Sequence, residues 1–408
     1  MLSVEDALRM VEQVAQPLAP RRVALGETAG LILAEDVVSA VHSPPYHKAL
    51  MDGYAVASSD RAPERTVLEE IGAGAVPRHA VTPGTATRLM TGAPLPEGAD
   101  AIVAFEETEA LGDDRVKLLQ IDPSPGQHVL PMGASFKMGD VVLRFGAEIR
   151  PIEIGILAEI GHALVTVHPR PRVAVLPTGN ELVEVGGKLA AGQIRNSNGP
   201  MLTAALARMG AEAAEVAIGR DERDELRRLI YEGLAADLLV ICGGVSAGKF
   251  DLVPDVLREL GVEQVFHKVA LRPGKPLWFG VKTLADRRAL VFGLPGNPVS
   301  CFVCCELFVR PALAALAGRP FALAPTIAAT LCHDYQYKGG RTSYLPARVT
   351  TSTQRAGPAA EAARATVEML PWHGSADLAT LTHANALVRL GTVAQRLPAG
   401  SVVDALCL

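Results

Sequence analysis

Apolar positions along the chain change their period several times, and each change marks a change of architecture. Val4, Ala7, Leu8, Val11 and Val14 fall at helical spacing, and Ser3 with Asp6 makes an approximate capping box before them, which predicts an amphipathic opening helix. A second short helix is expected around Leu31 to Asp36. From about Pro44 to Gly146 the pattern shifts to short alternating or β-branched runs, such as AIVAFEET, RVKLLQI and DVVLRF, separated by Gly and Pro. Such runs between turn formers predict strands, so a small β-rich module is inserted into a helical one. Helical spacing returns in IEIGILAEIG, after which VHPRPR, two prolines among basic residues, reads as a linker.

Beyond Arg172 strand and helix patterns alternate: RVAVLPTGN, PMLTAALARMG, EVAIG, DELRRLIYEGLA, DLLVICGG, VPDVLRELG, QVFHKVAL and LVFGLPGNP. That alternation predicts a parallel sheet with helices on both faces. From about Pro320 the helices stop, and TIAATLCH, TSYLPARVTT, RATVEML, ANALVRL and GSVVDALCL predict an all-β domain. The expected fold class is multidomain α/β. A helical domain (1–43 and 147–171) carries the β-rich module (44–146), followed by a parallel-sheet α/β domain (172–318) and a C-terminal β domain (319–408).

Composition narrows the function. Lys and Arg number 39 against 44 Asp and Glu, a net charge of −5, which leaves no electrostatic footprint for nucleic acid. Hydrophobic residues make up 49%, enough for well-buried cores, and 38 Gly with 29 Pro exceed their usual share of about 12%, predicting many tight loops. The opening MLSVEDALRM has no apolar run, and no later stretch approaches the ~18 uninterrupted apolar residues of a spanning helix, so a soluble, cytoplasmic protein without a membrane partner is expected. Six cysteines are too sparse for a disulfide framework. Cys301, Cys304 and Cys305 share one face of an apolar helical run and read as small core residues, because no second pair of zinc ligands is in view.

The candidate chemistry gathers at strand ends, where open α/β sheets bind their ligands. Three junctions are rich in glycine: LPTGNEL with Thr178 and Gly179, ICGGVSAGKFD with Gly243, Gly244 and Ser246, and GLPGNP with Pro295, Gly296 and Asn297. Glycine there lets backbone N–H groups approach a ligand, and helix N-termini favour anions, so a phosphate-bearing ligand is expected. Gly243 to Lys249 matches the opening of a P-loop, but Phe250 stands where that motif needs a hydroxyl on magnesium. Glu181 and Asp251 set carboxylates beside these loops, where Mg²⁺ can be held. Lys268, Arg272 and Lys275 surround Pro273 and Gly274 in a cationic turn suited to oxyanions. In the β-rich module, Asp52 of MDGY and Thr91 of RLMTGAPLP place a carboxylate and a hydroxyl on stiff turns.

Taken in order, MDGYAV, RLMTGAPLPEGADAIVAFEE, LPTGNEL, GQIRNSN, GGVSAGKFD, LRPGKP, GLPGNPVS and HGSADL resemble the MoeA-type molybdopterin molybdenumtransferase family, to which the C-terminal domain of gephyrin is related. The resemblance runs over essentially the whole chain. It implies an elongated homodimer of four-domain subunits. The implied reaction joins molybdate to adenylated molybdopterin, cleaves the phosphoanhydride with Mg²⁺ or a similar divalent ion, and releases AMP. By motif position it implies that Glu181 and Asp251, with Asp52, hold the metal, that Lys268, Arg272 and Lys275 bind molybdate or phosphate, and that Ser246 lies on the nucleotide side. It also implies that Asp52 and Thr91 face the pocket and that Ser375 of HGSADL approaches it. Implied partners are a molybdopterin adenylyltransferase as supplier and molybdoenzyme apoproteins as recipients.

The chain also departs from the family pattern. Tyr46-His47-Lys48-Ala49-Leu50 replaces the usual F-D-x-S-A, Leu130, Pro131, Ala134 and Ser135 replace an arginine and an acidic pair around Gly133, and Asn180 and Asn196 stand where aspartate is common. The alternative to the transferase is therefore a catalytically weakened paralogue that carries molybdopterin or a nucleotide. An adenylyltransferase, whose fold resembles residues 172–318, is a third reading that the other domains disfavour.

Overall fold

Ser3 caps the opening helix as its spacing predicts: its hydroxyl accepts the Asp6 backbone N–H at 2.9 Å, and the helix Val4–Val14 buries Val4, Ala7 and Val11. The computed structural model describes residues 1–245, 252–351 and 365–408. The chain forms two units, one of Met1–Arg22, Gly30–Ala34 and Thr166–Leu408, the other of Val23–Ala29 and Glu35–Val165.

The expected helix around Leu31 to Asp36 is absent. Ile32–Leu33 is instead a short strand, antiparallel to Val167–His168. The consecutive residues Leu31, Ile32 and Leu33 are all buried, which suits a strand covered on both faces better than a helix with one apolar stripe. The same pairing makes Val167 and His168 part of the strand Leu164–His168, so only the prolines beyond them act as a connection.

The α/β domain is built on a six-stranded sheet. From edge to edge it runs through Glu212–Glu215, Arg172–Pro177, Leu238–Cys242, Arg288–Leu294, Trp278–Thr283 and Glu263–His267. The first four strands are parallel and the last two antiparallel. Alternation along Arg172–Pro177 sends Val173 and Val175 to one face and Ala174 and Leu176 to the other. The first face packs Leu202 and Leu206 of the helix Asn198–Arg208, and the second packs Leu226, Leu229 and Ile230 of Arg223–Gly233 with Val256 and Leu257 of Val253–Glu259. Helices therefore cover both faces, as the alternation predicts.

Two strands differ from expectation. EVAIG is replaced by Glu212–Glu215, in register with Arg172–Val175; this half-exposed edge strand reads EAAE and has little apolar signal of its own. Trp278–Thr283 escaped the sequence pattern, and it turns the far edge of the sheet antiparallel.

The cysteine helix is continuous from Pro298 to Leu316, with a π-helical turn at Cys305–Val309. At 19 residues it is long and apolar enough by length and composition to cross a membrane, with an 18-residue stretch of mean hydropathy 1.8, yet 83% of that stretch is buried inside the fold. Glu306, fully buried, pairs there with Arg310 at 2.6 Å. Cys301, Cys304 and Cys305 are core residues, and burial pushes all three thiols above their usual range. Among the described residues no three metal-ligating side chains gather.

The C-terminal strands Thr342–Thr351, Ala365–Met369, Thr326–Leu331, Val402–Cys407 and Ala386–Leu390 pair in that order, and the last pairs again with the first, closing a ring. Leu271–Arg272 adds to it in parallel, opposite Thr342 and Ser343. The cationic turn is thus stitched to the C-terminal barrel.

In the other unit a second six-stranded sheet runs Ala101–Ala104, Gly53–Val56, Thr85–Leu89, Glu64–Ile71, Arg115–Leu118 and Thr108–Ala110. Tyr54, Val56 and Val103 pack on one face, Ala55, Leu89 and Ile102 on the other. A Cβ on Gly53 would lie 2.2 Å from the Val103 carbonyl oxygen, so the residue after Asp52 has to be glycine for the strands to pair.

Candidate active site

Three parallel strands end side by side. Thr178 donates its backbone N–H to the Cys242 carbonyl at 2.9 Å, and Gly243 donates to the Leu294 carbonyl at 3.0 Å. The loops that follow, the three glycine-rich junctions of the sequence, therefore emerge together. Backbone approach here is close. At Gly243 (φ +101°) a Cβ would sit 2.5 Å from the Thr178 carbonyl oxygen, and at Gly244 (φ +61°) 2.8 Å from Val253 Cγ2.

A cavity of about 490 Å³ opens above these strand ends, lined in part by Thr178, Gly179, Glu181, Gly243, Gly244 and Asn297. Arg220 holds its first loop by donating to the Leu182 carbonyl at 2.7 Å and the Asn180 carbonyl at 3.2 Å. The Glu181 carboxylate folds back over Gly179, where a Cβ would come within 2.5 Å of it. Asp221 lines the same cavity, its backbone N–H bound by the Asn180 side chain at 3.0 Å. Asn180 is therefore a loop fastener in this chain.

Asn196 is 2% exposed and lines the cavity wall. Its carbonyl oxygen accepts the Gly199 N–H at 2.9 Å, and its amide donates to Glu215. Burial, reinforced by the charge of Glu184, pushes the Glu215 carboxyl above its usual range against the pull of that bond. Asn198 donates to the Gly296 carbonyl at 2.7 Å, which leaves its side-chain oxygen buried without a partner.

A second cavity, of about 670 Å³, shares Pro276, Pro295 and Asn297 with the first. Arg272, Pro273, Gly274 and Lys275 form one wall, and Arg341 with Trp372–Ser375 form the other. Gly274 (φ +126°) is buried, and a Cβ there would meet Cys304 Sγ at 2.6 Å and Leu271 Cδ2 at 2.7 Å. The cysteine helix thus supports the cationic turn from beneath. Arg341 donates to the Leu271 carbonyl at 3.0 Å, which brings a third guanidinium or ammonium group to this cavity beside the exposed Arg272 and Lys275. Asp377 holds the opposite loop: it accepts the His373 backbone N–H at 3.0 Å and the Thr380 hydroxyl at 2.7 Å. These donors, the His373 backbone first, keep its carboxyl well below the usual range.

The structure brings most of the expected residues to these two adjoining cavities. Lys268 is outside both linings; it is half-buried, with φ +71°, and its backbone N–H closes the hairpin on the Leu277 carbonyl at 2.9 Å. Ser246 and Asp251 lie outside the described residues. In the other unit, Asp52 accepts both the backbone N–H of Thr91 at 2.6 Å and its hydroxyl at 2.7 Å. The backbone bond, then the hydroxyl, hold the Asp52 carboxyl below its usual range. Asp221, Asn198 and Arg341 were not among the expected residues. Only the GQIRNSN string, which contains Asn198, carried a signal for any of them.

Comparison with known proteins agrees with this geometry. Residues 2–161 match the family described as MoeA N-terminal region (domain I and II), and residues 174–315 match the probable molybdopterin binding domain. The chain is 35% identical over 411 residues to a molybdopterin molybdenumtransferase of Staphylococcus aureus strain Mu50, covering 99% of this chain and 94% of that one. A molybdopterin molybdenumtransferase of Staphylococcus epidermidis is 33% identical over 413 residues with the same coverage. A crystal structure of a molybdopterin biosynthesis MoeA protein from Pyrococcus horikoshii is 29% identical and superposes with a TM-score of 0.82, covering 100% of this chain and 99% of that chain.

Proposed function

The chain belongs to the MoeA-type molybdopterin molybdenumtransferases, enzymes of molybdenum cofactor biosynthesis, and on that premise we propose how its residues divide the work. The cavity at the strand ends takes the phosphate-bearing part of adenylated molybdopterin, and the cationic cavity beside it takes molybdate. The observation that carries this reading is the shared wall of Pro276, Pro295 and Asn297, which sets a phosphate cradle next to a cluster of cations. A ligand spanning both would present its anhydride near the oxyanion. Arg272, Lys275 and Arg341 then draw in the doubly charged oxyanion and offset its charge.

The donor set fits a divalent cation. Glu181 and Asp221 offer two carboxylates to the first cavity, and Mg²⁺ is commonly held by one or two carboxylates together with substrate phosphates. Asp251 is a further candidate by motif. When bound, such an ion would neutralise phosphate charge and polarise the anhydride. The residues themselves hold and orient: the Asn196 and Asn198 bonds fix the cavity wall, and Ser375 presents a hydroxyl to the oxyanion side.

The near full-length likeness to transferases, with the strand-end loops and cations in place, favours an enzyme over a carrier. A homodimer is supported by the exposed apolar side chains Met138 (60%), Phe145 (63%) and Ile152 (71%). A cytoplasmic setting is supported by six free thiols. A molybdopterin adenylyltransferase would supply the substrate, and molybdoenzyme apoproteins would receive the product.

The test is AMP release from adenylated molybdopterin in the presence of molybdate, with and without Mg²⁺. Turnover should require both additions and should be abolished in Glu181→Gln, whose exposed side chain supports no core packing. Wild-type turnover in that variant would remove Glu181 from the site. Ligand binding without turnover by the wild-type chain would restore the carrier reading.

A further inference from the structure

Within the first five residues the chain bonds both to the hairpin that carries Arg272 and Lys275 and to the barrel sheet that follows Arg341. The Leu2 carbonyl accepts the Ala270 N–H at 2.8 Å, and Leu2 bridges Val269 in parallel, so the chain start is a one-residue strand on the hairpin that carries Arg272 and Lys275. The Ser3 cap then turns the chain into its helix. One residue into that helix, Glu5 pairs with Arg389 at 2.6 Å. Arg389 lies on the strand Ala386–Leu390, opposite Tyr344 of the strand that begins beside Arg341.

The interior follows the same path. Val4, Ala7 and Val11 are buried in one core with Val269 and Leu271 from the hairpin and Tyr344 and Leu387 from the barrel. Residues 2–5 thus add a second tie between hairpin and barrel, beside the direct pairing of Leu271 and Arg272 with Thr342 and Ser343.

We propose that residues Leu2–Glu5 are a strap that, added to the pairing of Leu271 and Arg272 with Thr342 and Ser343, tightens the spacing of Arg272 and Lys275 against Arg341, making Glu5 and Arg389 positioning residues for the oxyanion. The inference rests on the assignment of molybdate to this cavity. Neither Glu5 nor Arg389 lines it. A merely structural ion pair at half-exposed positions would alter stability slightly and binding not at all.

The experiment is calorimetric titration of the full chain with sodium molybdate alone, together with KM for molybdate and kcat. Glu5→Gln and Arg389→Gln should each raise the molybdate Kd about two- to fivefold, the range that the loss of one such ion pair converts to. KM should rise in parallel and kcat at saturating molybdate should stay within about twofold, since no group touching the substrate is changed. The exchanged pair Glu5→Arg with Arg389→Glu should recover at least half of the lost affinity. Arg272→Ala runs alongside as the control for the cavity. If Arg272→Ala weakens molybdate binding while both strap variants bind as wild type, the strap is refuted and the cavity assignment stands. If Arg272→Ala also binds as wild type, the cavity assignment fails and the strap with it. Loss of affinity that the exchanged pair does not restore would likewise refute a positioning role for the ion pair.

Discussion

The side-chain amide of Asn297 donates to the hydroxyl of Ser375 at 2.9 Å, across 78 residues of sequence. Asn297 belongs to the last strand-end loop of the α/β sheet and Ser375 to the loop held by Asp377, so this bond joins the two walls where both cavities meet. Because Ser375 accepts from Asn297, its own proton is left to donate toward a ligand. Ser375→Ala removes that donor but keeps the loop in place, since the Val299 N–H still binds the Ser375 carbonyl at 3.0 Å. The expected result is a two- to tenfold rise in KM for molybdate, about the range of one net hydrogen bond. Steady-state kinetics at fixed adenylated molybdopterin would show it.

Arg272 is exposed at the rim of the cationic cavity, where its attraction for an oxyanion is screened by salt. Arg272→Ala should weaken molybdate binding roughly 10- to 100-fold at low ionic strength, the range of a charged hydrogen bond, and distinctly less at high salt. Titrations at low and high salt check this. An effect independent of salt would mean that the guanidinium acts through geometry alone.

The sequence carried the strand-end loops because each combines a β-branched strand with glycines that the backbone cannot replace. Gly243, Gly244 and Gly274 all stand at positive φ with neighbours too close for a Cβ. The cation pair Arg272 and Lys275 was legible for the same reason, as a fixed turn around a proline and a glycine. Arg341 was not, since KGGRTSY reads as an ordinary turn and only the pairing of Leu271 with Thr342 brings it to the cavity. Asp221 was hidden similarly in a polar stretch whose place depends on Asn180. Among the elements, Trp278–Thr283 was masked by the preceding prolines and by Gly280, which a strand pattern disfavours. At Gly280 the glycine is required, because a Cβ would come within 2.4 Å of the Trp278 ring. Local pattern thus reveals what local sterics impose, and it misses residues that only long-range pairing assembles.

Glu215 gives a pH signature for the cavity wall. Burial raises its carboxyl above the ordinary value of 4.5, so the folded state binds the proton more tightly than the unfolded state. The stability from that proton is fully present below pH 4.5 and is lost as pH rises through the raised folded value. Glu215→Gln keeps an oxygen for the Asn196 amide and removes the ionisation. Its melting temperature should match wild type near pH 4 and exceed it at pH 8, with the gap growing between them. Scanning calorimetry across that range decides the matter, and a constant gap would show that Glu215 does not titrate differently on folding.

Asp52 carries the opposite sign, and its partner can be removed in one step. Thr91 holds the Asp52 carboxyl below its usual 3.8 through its backbone N–H first and its hydroxyl second. The stability this contributes is present above pH 3.8 and is lost as pH falls through the lowered folded value. Thr91→Ala deletes the hydroxyl and leaves the backbone donor, so the Asp52 midpoint should rise part of the way back and no further. Carbon-detected NMR titration of the Asp52 carboxyl reads that midpoint directly. If Asp52 takes part in turnover as its motif implies, the acid limb of the activity profile should move upward with it. A shifted midpoint with an unmoved acid limb would assign Asp52 to the architecture of its turn, where Gly53 already requires close approach to Val103, and not to the reaction.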